Sequence, residues 1–248
     1  MQQGVPEFAY SDDALRLRQF LYERWCAEGH GPNLREVHEG LGLRRDAIIA
    51  AYKQLQMGNM VVLDPTSQHF NVWKMLPFSS FPSQVSVYVD DRFHSYAGCA
   101  MESVAISRMP PFEGRDLRLE SYCSCCLAPV TVVMRDGKVV SHRPGSVLIH
   151  VSMIPYEWGI PSLMTMCDSM NYVIGPDHAE GYERMIGRRG VLFTLDQARS
   201  LVSGVADKRM WDYHWPNHPL TPDTRVATIR GLGVDVSNWD PGTVKLAD

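Results

Sequence analysis

The chain of 248 residues is short of cysteine, of basic charge and of long apolar runs, and each shortage excludes something. Six cysteines, at positions 26, 99, 123, 125, 126 and 167, are too sparse for a small disulfide-stapled scaffold. They read as free thiols kept reduced, and a cytoplasmic protein is expected. The net charge of −4 supplies no bulk field for nucleic acid or an anionic membrane. No apolar run approaches the roughly 20 residues of a membrane span. The N-terminus lacks a basic stretch followed by an apolar one, which argues against secretion. What is present is ordinary for a globular protein: 45% hydrophobic and 21% charged residues, enough for one large core or two small ones.

The first 75 residues carry helical periodicity and then a hairpin. Residues 12–28 place Leu17, Phe20, Leu21 and Trp25 at helical spacing, with Asp12 or Asp13 as cap and Gly29 as stop. A shorter helix follows Asn33, with Leu34, Val37 and Leu41 facing inward, and a third over 44–57 aligns Ile48, Tyr52 and Leu55. Val61–Leu63 and Phe70–Trp73, split by Asp64-Pro65-Thr66-Ser67, read as a β-hairpin. Three helices and a wing predict a winged-helix-like module over 1–76. Eight Lys or Arg against nine Asp or Glu make it slightly acidic, and Arg44, Arg45 and Lys53 are its only candidates for phosphate contact. A structural module is favoured over DNA binding.

A Pro-flanked Phe/Ser stretch, 77–84, is the expected connector. Beyond it, strands are expected at 85–89, 117–122, 130–134, 138–141, 147–153 and 190–195, with helices near 99–107, 161–170, 178–187 and 196–206. The prediction is an α+β protein whose second domain, 85–215, is a mixed or antiparallel β-sheet with flanking helices. The remainder, 216–248, reads as a surface-hugging or mobile extension, because it is rich in Pro, Gly and Asp and short of apolar periodicity.

Cys99 and Glu102 are the most informative pair. On a helix they fall at i and i+3, so thiol and carboxyl share a face, and a helix N-terminus would favour the thiolate. A carboxyl beside a thiol can take its proton and later give it up. A buried inert cysteine and a solvated glutamate are the plain alternative. In Cys123-Ser124-Cys125-Cys126, three thiols share one turn. They form either a packed hairpin or an accessory site for a soft metal, although no second Cys or His pair sits at zinc-site spacing. His142 and His150 read as strand residues.

Tyr96-Ala97-Gly98-Cys99-Ala100-Met101-Glu102 resembles the tyrosine-alanine-X-cysteine-alanine-X-aspartate segment of the organomercurial (alkylmercury) lyase family. Tyr88 to Arg92 resembles the approach to it, Ser121-Tyr122-Cys123 with Ala128-Pro129-Val130 the family's cysteine hairpin, and Met166-Cys167-Asp168-Ser169-Met170-Asn171-Tyr172 the segment of its second catalytic cysteine. Gly190–Ala206 is similar to the family's closing strand and helix. The resemblance spans roughly 12–210.

It implies protonolysis of a carbon–mercury bond, giving a hydrocarbon and Hg(II) on protein thiolates. Cys99 and Cys167 would be the metal ligands and Glu102, at the aspartate position, the proton carrier. No organic cofactor is implied. An outside thiol would take the product, with a mercury reductase as a conceivable partner. Three departures stand out: Glu102 is one methylene longer than aspartate, Gly98 replaces a tryptophan and implies a more open pocket wall, and Cys167 is single where some members have two adjacent cysteines. The alternatives are a divergent enzyme of specialised metabolism on the same scaffold and a thiol-based metal-sensing regulator.

Overall fold

The computed structural model describes residues 9–58, 60–157, 163–211 and 221–239. Helix α1 (Asp12–Glu28) begins at Ser11, whose hydroxyl accepts from the Ala14 N–H at 3.3 Å. Ser11 therefore takes the capping place expected of Asp12 or Asp13, which instead lie in the first turn, where the helix dipole favours acids. Leu17, Leu21 and Trp25 are fully buried on one face. Each such side chain contributes about 1.5–3 kcal/mol of transfer free energy. Helix α2 (Leu34–Leu41) starts with a reciprocal capping box between Asn33 and Glu36. Helix α3 (Arg45–Met57) buries Ile48, Ala51, Tyr52 and Leu55 and packs on α1.

A hairpin follows, β1 (Val61–Leu63) and β2 (Val72–Met75), with Val61 opposite Met75. The chain then enters β3 (Phe78–Ser79), inside the stretch expected as a connector. There Phe78 pairs with Met75 of β2 on one side and with Ala97 on the other. The hairpin is thus continuous with the main sheet. That sheet adds β4 (Ser86–Val89), β5 (Arg92–Ala97), β6 (Leu117–Tyr122), β7 (Pro129–Arg135) and β8 (Lys138–Arg143) in the order β1-β2-β3-β5-β4-β6-β7-β8. Every pairing along it is antiparallel. Alternation sets its faces: Val130, Val132 and Met134 of β7 point inward while their neighbours do not.

A second sheet of three antiparallel strands has β9 (Val147–Val151) at its centre, between β10 (Met170–Ile174) and β11 (Val191–Thr194). Helix α4 (Ala100–Ser103) is a single turn touching β10, α5 (Leu163–Asp168) leads into β10, and α6 (Gly175–Ile186) leaves it. Helix α7 (Leu195–Trp211) lies against β9 and β11. The architecture is α+β. No helix among the described residues is long and apolar enough to cross a membrane.

Two expectations are corrected. Residues 221–239 are more than a surface-hugging or mobile extension: α8 (Pro222–Gly231) buries Val226 and Ile229, and Val234, Val236 and Trp239 are buried after it. The Asn238 side-chain amide also donates to the Gly190 carbonyl at 2.8 Å. The remaining tail positions, 216–220 and 240–248, lie outside the described residues. The helix expected over 99–107 is four residues long, followed by a 3-10 turn at Ile106–Arg108.

Candidate functional site

Strand β5 sets the position of Cys99. The backbone N–H of Ala97 donates to Val85 at 3.0 Å and that of Gly98 to Pro77 at 2.7 Å, so the chain reaches Cys99 in fixed register. Cys99 then caps α4, its sulfur accepting from the Glu102 N–H at 3.4 Å. The i, i+3 relation holds, but α4 is a single turn, too short to carry much of a helix dipole. Cys167 arrives from α5, which like α4 packs against β10. Its thiol points at Glu102 Oε2 from 3.6 Å. The three ligand atoms of Cys99, Glu102 and Cys167 all lie within 4.8 Å of one another. They are 3%, 7% and 1% exposed, so almost no water screens them. Met170 Sδ adds a third soft atom beside the two thiol sulfurs, 3.9 Å from Cys99 Sγ.

A fourth residue went unread in the sequence. Lys74, on β2, is 1% exposed and donates to the Gly98 carbonyl and to Asp168 Oδ1, each at 3.2 Å. Burial would lower its pKa, but the acidic groups around it, Cys167, Asp168, Cys99 and Glu102, attract the ammonium as they ionise and raise it. Cys167 moves the other way in charge state. Its hydrogen bond with Cys99, then burial, then the charges of Glu102 and Cys99 raise its pKa well above the ordinary thiol range, against the pull of Lys74. Cys167 is thus a proton-bearing thiol at neutral pH, aimed at a carboxyl. The Lys74 charge matters most once that thiol ionises.

Gly98 and Glu102 fit together. A Cβ built at Gly98 would lie 2.0 Å from Glu102 Oε2 and 3.6 Å from the Pro77 carbonyl oxygen. The expectation that Gly98 opens the pocket wall is therefore corrected: the longer carboxylate fills the space that a side chain at 98 would need. A side chain at 98 and the Glu102 carboxylate as it stands would compete for the same space.

The other cysteines divide. Cys26 is buried on α1 and burial pushes its thiol up to about 12, the behaviour of an inert core residue. Cys123 is fully buried, Cys125 half-buried and Cys126 exposed, on the turn joining β6 to β7. The ligand atoms of Cys123, Cys126 and His178 lie within 4.8 Å of one another. His178, on α6, was missed because it stands 55 residues from Cys123. His142 and His150 lie on β8 and β9, and His150 Nε2 is 3.0 Å from Glu183 Oε1, a structural pairing.

An α+β scaffold that buries two thiols against a carboxyl, with a lysine behind them, defines a thiol-based centre suited to a soft metal. The chain belongs to the alkylmercury lyase family, whose profile matches residues 78–206, just over half of its length. Its fold is similar to the crystal structure of the mercury-bound form of MerB2, with a TM-score of 0.64 at 19% identity, covering 81% of this chain and 93% of that one. No curated protein matches the sequence.

Proposed function

We propose that this protein cleaves a carbon–mercury bond at Cys99, Glu102 and Cys167. The observation that carries the reading is the meeting of these three groups, 65 residues apart in sequence at the Cys167–Glu102 contact, in one buried cluster. Family membership supports the reaction class.

The chemistry follows from the charge states. An organomercury cation enters on an outside thiol and exchanges onto the Cys99 sulfur, the outside thiol leaving with the Cys99 proton. Mercury is soft, so sulfur holds it in preference to carboxylate or imidazole. The Cys167 thiol then passes its proton to Glu102, and its thiolate joins the metal. Lys74 favours that ionisation, as a buried cation beside a forming anion. Two thiolates push electron density toward the metal and make its carbon more basic. Glu102 delivers its proton to that carbon, the bonding pair leaves with the carbon, and hydrocarbon departs from Hg(II) held by two thiolates. Outside thiols remove the ion and return the protons. The residues hold the metal and deliver the proton to carbon while outside thiols bring the substrate and remove the product, so no organic cofactor is called for, and a reducing cytoplasm with a mercury reductase suits the product.

The Gly98–Glu102 fit weakens the case for a different substrate on the same scaffold, since the longer acid is accommodated at the thiols instead of displaced from them. A DNA-binding regulator draws little support from the start of α3, where Arg44, the residue before the helix, is 3.4 Å from Asp46. Residues 1–76 we read as a support for the site, because β2 carries Lys74 into it. Incubation with phenylmercury acetate and excess thiol is expected to release benzene, and neither Cys99→Ala nor Cys167→Ala should do so. A wild-type protein that binds the mercurial and releases no benzene contradicts the proposal.

A further inference from the structure

We infer that Cys123, Cys126 and His178 form a second cation site, for a Zn(II)-class ion, that clamps the β6–β7 turn onto α6. This inference does not rest on the lyase reading. Cys123 Sγ and His178 Nδ1 are 3.6 Å apart. In a tetrahedral zinc site with bonds of about 2.3 Å to sulfur and about 2.05 Å to nitrogen, the sulfur–nitrogen edge is about 3.55 Å. The third donor, Cys126 Sγ, lies within 4.8 Å of both. Two thiolates and a neutral imidazole carry two negative charges, which a divalent ion cancels.

The surroundings fix the donors in place. Leu127 donates its N–H to the Cys123 carbonyl and Cys123 donates to Ala128, both at 2.8 Å, so the turn is closed on itself. Ser124 donates to Tyr172 at 2.9 Å, tying the turn to β10, from which α6 emerges. The helix lies close: a Cβ at Gly181, one turn beyond His178, would meet Cys125 Sγ at 2.7 Å. Cys123 is fully buried with Val173 and Ala179, whereas Cys126 is exposed, so the site has a dry inner ligand and an open outer edge. A fourth ligand is left to solvent at the exposed Cys126 edge. No carboxyl belongs to the set, so it holds an ion but has no acid to protonate a carbon.

The competing account is a plain hydrogen bond between the Cys123 thiol and His178, with Cys126 an unused surface residue. The two are separated in full-length protein carrying Cys99→Ala and Cys167→Ala, which removes the other sulfur cluster. Co(II) titration should then saturate at about one ion per chain, with thiolate-to-cobalt charge transfer and tetrahedral d–d bands, and Zn(II) should displace it. Adding Cys126→Ser or His178→Gln should weaken Zn(II) binding by roughly tenfold or more with an unchanged far-UV spectrum. Absence of the charge-transfer band, or Zn(II) affinity unmoved by both substitutions, overturns the site. So does binding of Hg(II) with no binding of Zn(II) or Co(II).

Discussion

Two clusters of sulfur sit on this scaffold, and they differ in what stands beside the thiols. Cys99 and Cys167 have a carboxyl for a third partner and are sealed from water, 3% and 1% exposed. Cys123 and Cys126 have an imidazole, and Cys126 opens to solvent. Strand β10 runs between the two: Tyr172 is bonded through its hydroxyl to Ser103 of α4 at 2.8 Å, and its carbonyl accepts from Ser124 of the other turn. A soft ion would be held by either. Only the first has an acid hydrogen to give away, aimed by a buried thiol and backed by Lys74. The contrast teaches that thiols choose the metal, while their neighbours choose the reaction.

The comparison breaks most sharply at Glu102. Glu102→Gln keeps the shape and removes the proton carrier, and benzene release from phenylmercury should fall by about 10²–10⁴-fold while mercurial binding persists. Next comes Gly98→Ala. A methyl 2.0 Å from Oε2 must push the carboxylate aside, and a misplacement of that order costs up to about 10²-fold. The double substitution Gly98→Ala with Glu102→Asp should recover much of the loss, a non-additivity read from a double-mutant cycle of kcat/KM. Equal, additive losses would separate the two positions.

Lys74→Met should slow cleavage by roughly tenfold, by removing a cation that favours the ionised Cys167. It should also shift the pH dependence of Cys167 alkylation upward, measured in a Cys99→Ala background, because the Lys74 charge pulls that thiol's pKa down. The smallest effect is on stability. Burial lowers the His150 pKa, and its bond and charge contact with Glu183 only partly restore it. The unfolded chain therefore takes up the proton first as pH falls through about 6.5, so the stabilisation is present above that value and lost below it. The melting temperature should drop between about pH 7 and about pH 5, and His150→Gln should make that drop shallower by a few degrees.

Much of this fold was legible because local rules and packing agreed. Helices α1 to α3 carry apolar spacing and a closing glycine, α1 and α2 also begin on capping side chains, and β7 alternates as a half-buried strand should. Strand β10 was masked: its residues are buried on both faces, so they do not alternate, and they follow a helix directly. Strand β5 was masked for the opposite reason, being polar and largely exposed at its start. The end of the chain hid its core contacts, since Val226, Ile229, Val234, Val236 and Trp239 follow no single period. Cys99, Glu102 and Cys167 stood out through family resemblance, because a thiol and a carboxyl three residues apart say little alone. Lys74 and His178 left no local signal. A lysine on a short strand is ordinarily solvated, and what keeps it inside, Gly98 and Asp168, is 24 and 94 residues away.

The most direct measurement is a single turnover with phenylmercury at one equivalent per chain and no added thiol, comparing the native protein with Glu102→Gln. The account predicts about one benzene per chain from the native protein, with Hg(II) retained on sulfur, and an intact phenylmercury adduct on Glu102→Gln. Benzene released from Glu102→Gln at the native rate would contradict it.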